Sequence, residues 1–145
     1  ECRINAEDPD NNFFPSPGTI TEWRPAGGPF VRVDSGVCEG SVVSPSFDSM
    51  LAKLIVWGND RREALARMRR AVDEFRVSGI ATTLPALRLV LNDEVFINGR
   101  EHSFYMDTRL RRLLQTEPHS SRAQLCILLL HAAVYPYPKK WDDFT

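Results

Sequence analysis

Polar side chains stand in positions suited to chemistry at only a few places in this sequence, and the first is the opening stretch ECRINAEDP. Read with the two-residue period of a strand, Cys2, Ile4 and Ala6 point to one face while Glu1, Arg3, Asn5 and Glu7 point to the other. A guanidinium flanked by the carboxylates of Glu1 and Glu7 can hold an anion at a fixed place, and it suits a solvated face equally well. The spacing leaves both readings open. Asp48 lies in SPSFDSM, where a loop leads into the apolar run MLAKLIVW. A carboxylate there serves a turn or steadies a neighbouring cation. Lys53 interrupts the same run, and its long stem can carry the ammonium out to a surface.

Other polar groups carry less. The stretch 61–76 holds Arg61, Arg62, Arg67, Arg69, Arg70 and Arg76, a density that raises nucleic-acid binding. Glu63 with Arg67, Arg69 with Asp73 and Arg70 with Glu74 stand four apart, however, and such pairs each support a helix by roughly 0.2–0.5 kcal/mol. A solvated helix face laced with ion pairs explains the arginines without a nucleic acid. His102, His119 and His131 have no ligand-like neighbour in the sequence, so no metal site is expected. PAGGP at 25–29 is flanked by prolines and does not lead into a helix, which makes it a turn rather than a phosphate cradle.

The elements that must hold these residues follow from local pattern. Prolines and glycines crowd the first third, in PSPG at 15–18, PAGGP, Gly36 and Gly40, and separate the β-like runs TITEW, FVRV and SVV. This predicts a β-meander with tight turns. The run at 50–57 predicts a central strand covered on both faces. From Asp60 the period changes. Leu65, Met68, Val72 and Phe75 form one apolar stripe, Asp60 and Glu63 stand in capping-box register, and Gly79 is placed to end the helix. A second helix is predicted from Leu84 to about Asn92, with Pro85 in its first turn. A β-like segment follows at HSFYM, then a helix over TRLRRLLQ and an apolar helix within LCILLLHAAV at 125–134. Strands first and helices afterwards, without regular alternation, indicate an α+β fold with an antiparallel sheet packed against helices.

Composition bounds the function. At 145 residues, with 43% hydrophobic and 26% charged residues, the chain is long enough to bury a core of its own. A formal net charge of -1 gives no global field for nucleic acid or for an acidic membrane. The apolar run at 125–134 is half the roughly 20 residues of a membrane span, so no membrane partner is expected. Cys2, Cys38 and Cys126 lack the spacing of a disulfide framework or a zinc site and fit a reducing compartment, cytoplasmic or, in a eukaryote, the mitochondrial matrix. The text begins inside a strand pattern without an initiator methionine or a signal segment, so a piece of a longer protein is expected.

Taken in order, ECRINAEDP, FFPSPGTI, VRVDSGV, FDSMLAKLIVWG, DRREALARM and GIATTL resemble the C-terminal domain of biotin carboxylase. That family is the ATP-dependent component of carboxylases acting on acetyl-CoA, propionyl-CoA, methylcrotonyl-CoA and pyruvate. The resemblance fades beyond Thr108, which divides the chain into a domain over 1–108 and a helical extension or linker over 109–145. It implies three partners: an upstream ATP-grasp domain that binds ATP with magnesium and activates bicarbonate, a carrier domain bearing biotin, and a carboxyltransferase component. It also implies that this chain is inactive alone. A stand-alone subunit and a fused multidomain carboxylase are both compatible with it, and the alternative is a non-catalytic module that keeps the fold.

The resemblance gives Arg3 a task. The arginine of the family's opening motif faces the ureido oxygen of biotin. When the ureido N1 loses its proton, negative charge spreads to that oxygen, and a fixed guanidinium stabilises the anion more than the neutral ring. Asp48, at the matching DSM position, and Glu1 and Glu7 are the candidates to hold the guanidinium. Free-standing bacterial members use the stretch after the glycine pair in a dimer interface, with an arginine matching Arg32. Here GGPFVRV has Pro29 where those members have an aromatic and Phe30 one place later, so Arg32 and Phe30 are the expected contacts of a possible homodimer.

Overall fold

A computed structural model describes residues 1–102 and 104–116. Its strands are short because turn residues interrupt the first third so often. They are β1 (Cys2–Asn5), β2 (Glu7–Asp8), β3 (Phe14–Pro15), β4 (Gly18–Thr19), β5 (Glu22–Arg24), β6 (Val31–Ser35), β7 (Val42–Val43) and β8 (Met50–Val56). Then follow α1 (Arg61–Glu74), β9 (Arg76–Ser78), α2 (Leu84–Asn92), α3 (Glu94–Ile97), a π-helical turn over Met106–Leu110, and α4 (Arg111–Thr116). The α+β character expected from the sequence is what the chain forms, and every strand pairing among the described residues is antiparallel.

The pairing does not follow chain order as in a simple meander. Only β2 and β3 join neighbours, whereas β4 pairs with β7, β5 with β9, and the largest sheet runs β1-β8-β6. β8 is the longest and most apolar strand, so the strands from either end of the β-rich part converge on it. Its partners are Cys2 opposite Leu54, Arg3 opposite Lys53 and Ile4 opposite Ala52 on one side, with Val33 opposite Leu54 and Asp34 opposite Lys53 on the other. Residues opposite one another share a face. One face therefore sends Ile4, Ala52 and Leu54 into the core, and the other carries Arg3, Lys53 and Asp34 in a row. The expectation of a strand covered on both faces is corrected: Lys53 and Ile55 are only half-buried, because the helix stripe covers one side.

That stripe is the one the periodicity requires, since Leu65, Met68, Val72 and Phe75 are all buried in the main core. Asp60 caps α1 by accepting the N–H of Glu63 at 2.7 Å. The return bond is one residue wider than a standard box, for Glu63 accepts the N–H of Asn59 at 2.7 Å. That N–H, together with Arg67, holds the Glu63 carboxyl below the usual carboxylate range. The ion pairs Glu63–Arg67 and Arg70–Glu74 form, each at 2.7 Å. Arg69 does not take Asp73. It donates to the Leu91 carbonyl at the end of α2 at 2.8 Å, where terminal carbonyls lack helical partners, and Asp73 pairs instead with Arg88 at 3.1 Å.

Two boundaries differ from the sequence expectation. α1 ends at Glu74, not near Gly79, because Phe75 turns to an extended conformation and its ring meets Trp23 edge to face at 5.3 Å. The next residues pair with β5, Trp23 opposite Val77. Gly79 works after that strand: with φ at +98°, an added Cβ would lie 2.2 Å from the Thr19 carbonyl oxygen. The β-like reading of HSFYM is also corrected. Tyr105 donates its N–H to the His102 carbonyl and Thr108 to the Phe104 carbonyl, so 104–106 open a helical stretch. The helix predicted over 108–115 is present within it, and the one at 125–134 lies outside the described residues.

Candidate functional site

β8 flanks β1 on one side only, and on the other side β1 lines a cleft of about 790 Å³. Glu1, Arg3, Asn5 and Glu7 supply its polar rim, while Leu87, Val90 and Leu91 of α2 and Leu110 and Leu114 beyond supply an apolar lining. Arg3 is the informative group. Its Nε meets Glu1 Oε1 at 3.4 Å, and 67% of the side chain is exposed. Lys53 stands opposite it in the sheet, so two cations sit side by side on this face. Cys2 adds no charge, since burial pushes its thiol up. The arrangement can receive an anion or an oxygen on which negative charge is developing.

The other expected residues take different places. Among the described residues, Glu1 is the carboxylate that Arg3 reaches. Glu7 accepts from Asn5 Nδ2 at 3.0 Å and from the Ser49 hydroxyl, which ties the end of β1 to the turn before β8. Asp48 accepts the N–H of Met50 at 2.7 Å, the turn role that aspartate commonly plays, so its oxygen is committed to the entrance of β8. Arg32 pairs with Asp34 at 3.2 Å, with 70% of its side chain exposed. Phe30 has φ at +60° and remains 60% exposed, beside Trp57 at 5.3 Å and under the Arg67 guanidinium at 5.0 Å. Both are exposed, Arg32 within β6 and Phe30 just before it, and neither lines the cleft.

Sequence reasoning missed Thr83. Its hydroxyl accepts the N–H of Asn5 at 3.0 Å and donates to the Arg3 carbonyl at 3.1 Å. The only local signal at Thr83 is its place before LPALRLVLN, which points to a helix cap and not to a strand about 80 residues back.

The far side of the cleft is fixed by a buried carboxylate. Asp93, 6% exposed, accepts from Tyr105 Oη at 2.8 Å and from Arg109 Nη2 at 2.7 Å and Nε at 3.1 Å. The Arg109 guanidinium holds the Asp93 carboxyl below its usual range, and burial pushes the Tyr105 hydroxyl up. A depressed carboxylate stabilises the fold at pH above its ordinary range, and that contribution is lost as pH falls from there through its lowered folded-state value. Tyr105→Phe is expected to cost about 1.5–3 kcal/mol at neutral pH, the scale of a hydrogen bond to a charged group. Urea unfolding checks this, and the gap from the wild type should narrow as Asp93 protonates in acid.

The pattern has known counterparts. A model of the biotin carboxylase C-terminal domain matches residues 1–108. The chain belongs to the biotin carboxylase C-terminal domain family. It is 56% identical over 109 residues to the biotin-dependent acyl-coenzyme A carboxylase alpha3 subunit of Mycobacterium leprae, covering 75% of this chain and 18% of that protein. It is 52% identical over 100 residues to the chloroplastic biotin carboxylase of Arabidopsis thaliana, covering 69% and 19%. Among solved structures, it is similar to the biotin carboxylase domain dimer of the Hydrogenobacter thermophilus 2-oxoglutarate carboxylase in complex with MgADP, ADP and bicarbonate. The TM-score is 0.76 and the identity 37%, over 81% of this chain and 26% of that one. The chain thus spans about a fifth of the length of these curated relatives.

Proposed function

We propose that this domain forms the biotin-facing wall of an ATP-dependent biotin carboxylase, and that Arg3 is its catalytic contribution. The observation that carries the reading is the state of Arg3. Its carbonyl accepts from Thr83 on the outer edge of β1, whose inner edge pairs with β8, while its guanidinium meets one exposed carboxylate and opens on the cleft. A cation so placed offers N–H donors to a ureido oxygen as charge moves onto it, with no reorganisation at that moment. Glu1 orients the planar fork, and Glu7 and Asp48 hold the strand end and the turn beside it.

The rest of the reaction belongs to partners. ATP, magnesium and bicarbonate are handled by an ATP-grasp domain, biotin arrives on a carrier domain, and a carboxyltransferase component chooses the acyl acceptor. Arg32 and Phe30, exposed together near β6, are proposed contacts of a homodimer. Calorimetry with ATP and magnesium tests the division of labour. This chain alone should melt cooperatively and give no heat with the nucleotide, whereas the complete protein should bind it and fix labelled bicarbonate onto biotin. Micromolar ATP binding by the chain alone, or a complete protein that does not carboxylate biotin, would overturn the proposal.

A further inference from the structure

An edge strand leaves half its backbone groups unpaired, and β1 is an edge strand in its sheet. On its outer edge the N–H of Asn5 and the carbonyl of Arg3 are both met by one side chain, the Thr83 hydroxyl, at 3.0 and 3.1 Å. The Thr83 N–H adds a third bond, to the Asn5 carbonyl at 3.1 Å. A hydroxyl has one proton to give and lone pairs to receive, so both of its roles are filled. Thr83 is 9% exposed, which shields these bonds from competition with water.

The hydroxyl has another use available. Thr83 is the N-cap of α2, where a threonine oxygen ordinarily accepts an N–H of the first helical turn and stabilises the helix by about 1 kcal/mol. It makes no such bond here. The cap oxygen is diverted from the helix to the strand. Just beyond, the β1–β8 register slips between Ile4 and Asn5, so the pairing that would steady Arg3 from one side is interrupted one residue after it. Thr83 spans that slip, with one bond before it, to Arg3, and two after it, to Asn5.

We propose that Thr83 is a positioning residue for Arg3, fixing the backbone around it so that the guanidinium meets its oxygen in one place. This rests on the catalytic reading of Arg3 given above. A donor displaced by about 1 Å can cost as much as 10²-fold in rate, so the effect of losing the hydroxyl should be visible in turnover.

The test uses the complete enzyme and four variants: Thr83→Val, Thr83→Ser, Arg3→Ala and the Arg3→Ala/Thr83→Val pair. Thr83→Val should lower kcat for biotin carboxylation by about 10- to 100-fold, while ATP consumption without biotin stays at the wild-type rate. Thr83→Ser, which keeps the hydroxyl, should recover most of the loss. The double variant should be no slower than Arg3→Ala alone, because a residue acting through Arg3 has nothing left to position. Should Thr83→Val fail to fold, the smaller Thr83→Ala reads the same contact. Wild-type turnover in the hydroxyl-free variant beside a slow Arg3→Ala would overturn this inference alone, as would losses that multiply in the double variant or a serine variant as slow as valine. Wild-type turnover in Arg3→Ala would overturn the catalytic reading as well.

Discussion

Arg3→Ala in the complete enzyme is expected to lower biotin carboxylation by roughly 10²-fold or more, the scale for losing one donor to a developing oxyanion. The loss should appear in kcat as well as kcat/KM, because the interaction strengthens as charge moves onto the oxygen. Stability should hardly change. Among the described residues the ion pair lost is Arg3 with Glu1, whose side chains are 67% and 42% exposed, and exposed pairs contribute about 0–1 kcal/mol. Arg3→Lys separates charge from geometry. A lysine keeps the cation but not the planar fork, so a partial recovery would show that orientation matters beyond charge. Carboxylation at the wild-type rate in Arg3→Ala, with the protein folded, would remove the residue from the mechanism.

Phe75→Ala should do the reverse, leaving the site's groups intact and undermining the fold. Among the described residues Phe75 is the largest fully buried side chain, and it closes the junction of α1, β9 and β5 against Trp23. Truncating a buried phenylalanine typically costs about 3–5 kcal/mol. Against a domain stability of about 5–15 kcal/mol, that is a large fraction of the whole. At roughly 3–5 °C per kcal/mol, between the values for smaller and larger domains, the midpoint should fall by about 9 °C or more. Thermal melts of the isolated chain measure it, and a fall of only a few degrees would mean that the junction collapses around the missing ring.

The helical parts of the fold were the most legible in the sequence. The stripe Leu65, Met68, Val72 and Phe75, the cap Asp60, and Pro85 at the start of α2 are local signals, and the structure uses each of them locally. The face of β1 was legible for the same reason: Ile4 and Ala6 go inward and Arg3 outward by a period of two. What the text could not show were bonds made across the chain. Arg69 was expected to reach Asp73 four residues on but takes Leu91, and the end of α1 is set by the pairing of Val77 with Trp23 rather than by Gly79. In the site, the charge and its carboxylate neighbour were legible, and the bonds to its backbone were not. Glu1 lies two residues from Arg3, whereas Thr83 comes to it only through the folded sheet.

The order of strand pairing bears on how this chain can be made. β1 waits for β8, β4 for β7, and β5 for β9, so Glu22 finds Ser78 only after the whole of α1 has been synthesised. At about 5–20 residues per second, the opening strands spend several seconds outside the ribosome without their partners. During that interval Ile4 and Ile20, both destined for full burial, are open to solvent and to other nascent chains. Contacts this distant also make for slow folding, since loop closure precedes the contacts that reward it. Chaperone dependence during synthesis should therefore concentrate in the first 50 or so residues and end when Val77 emerges to cover Trp23.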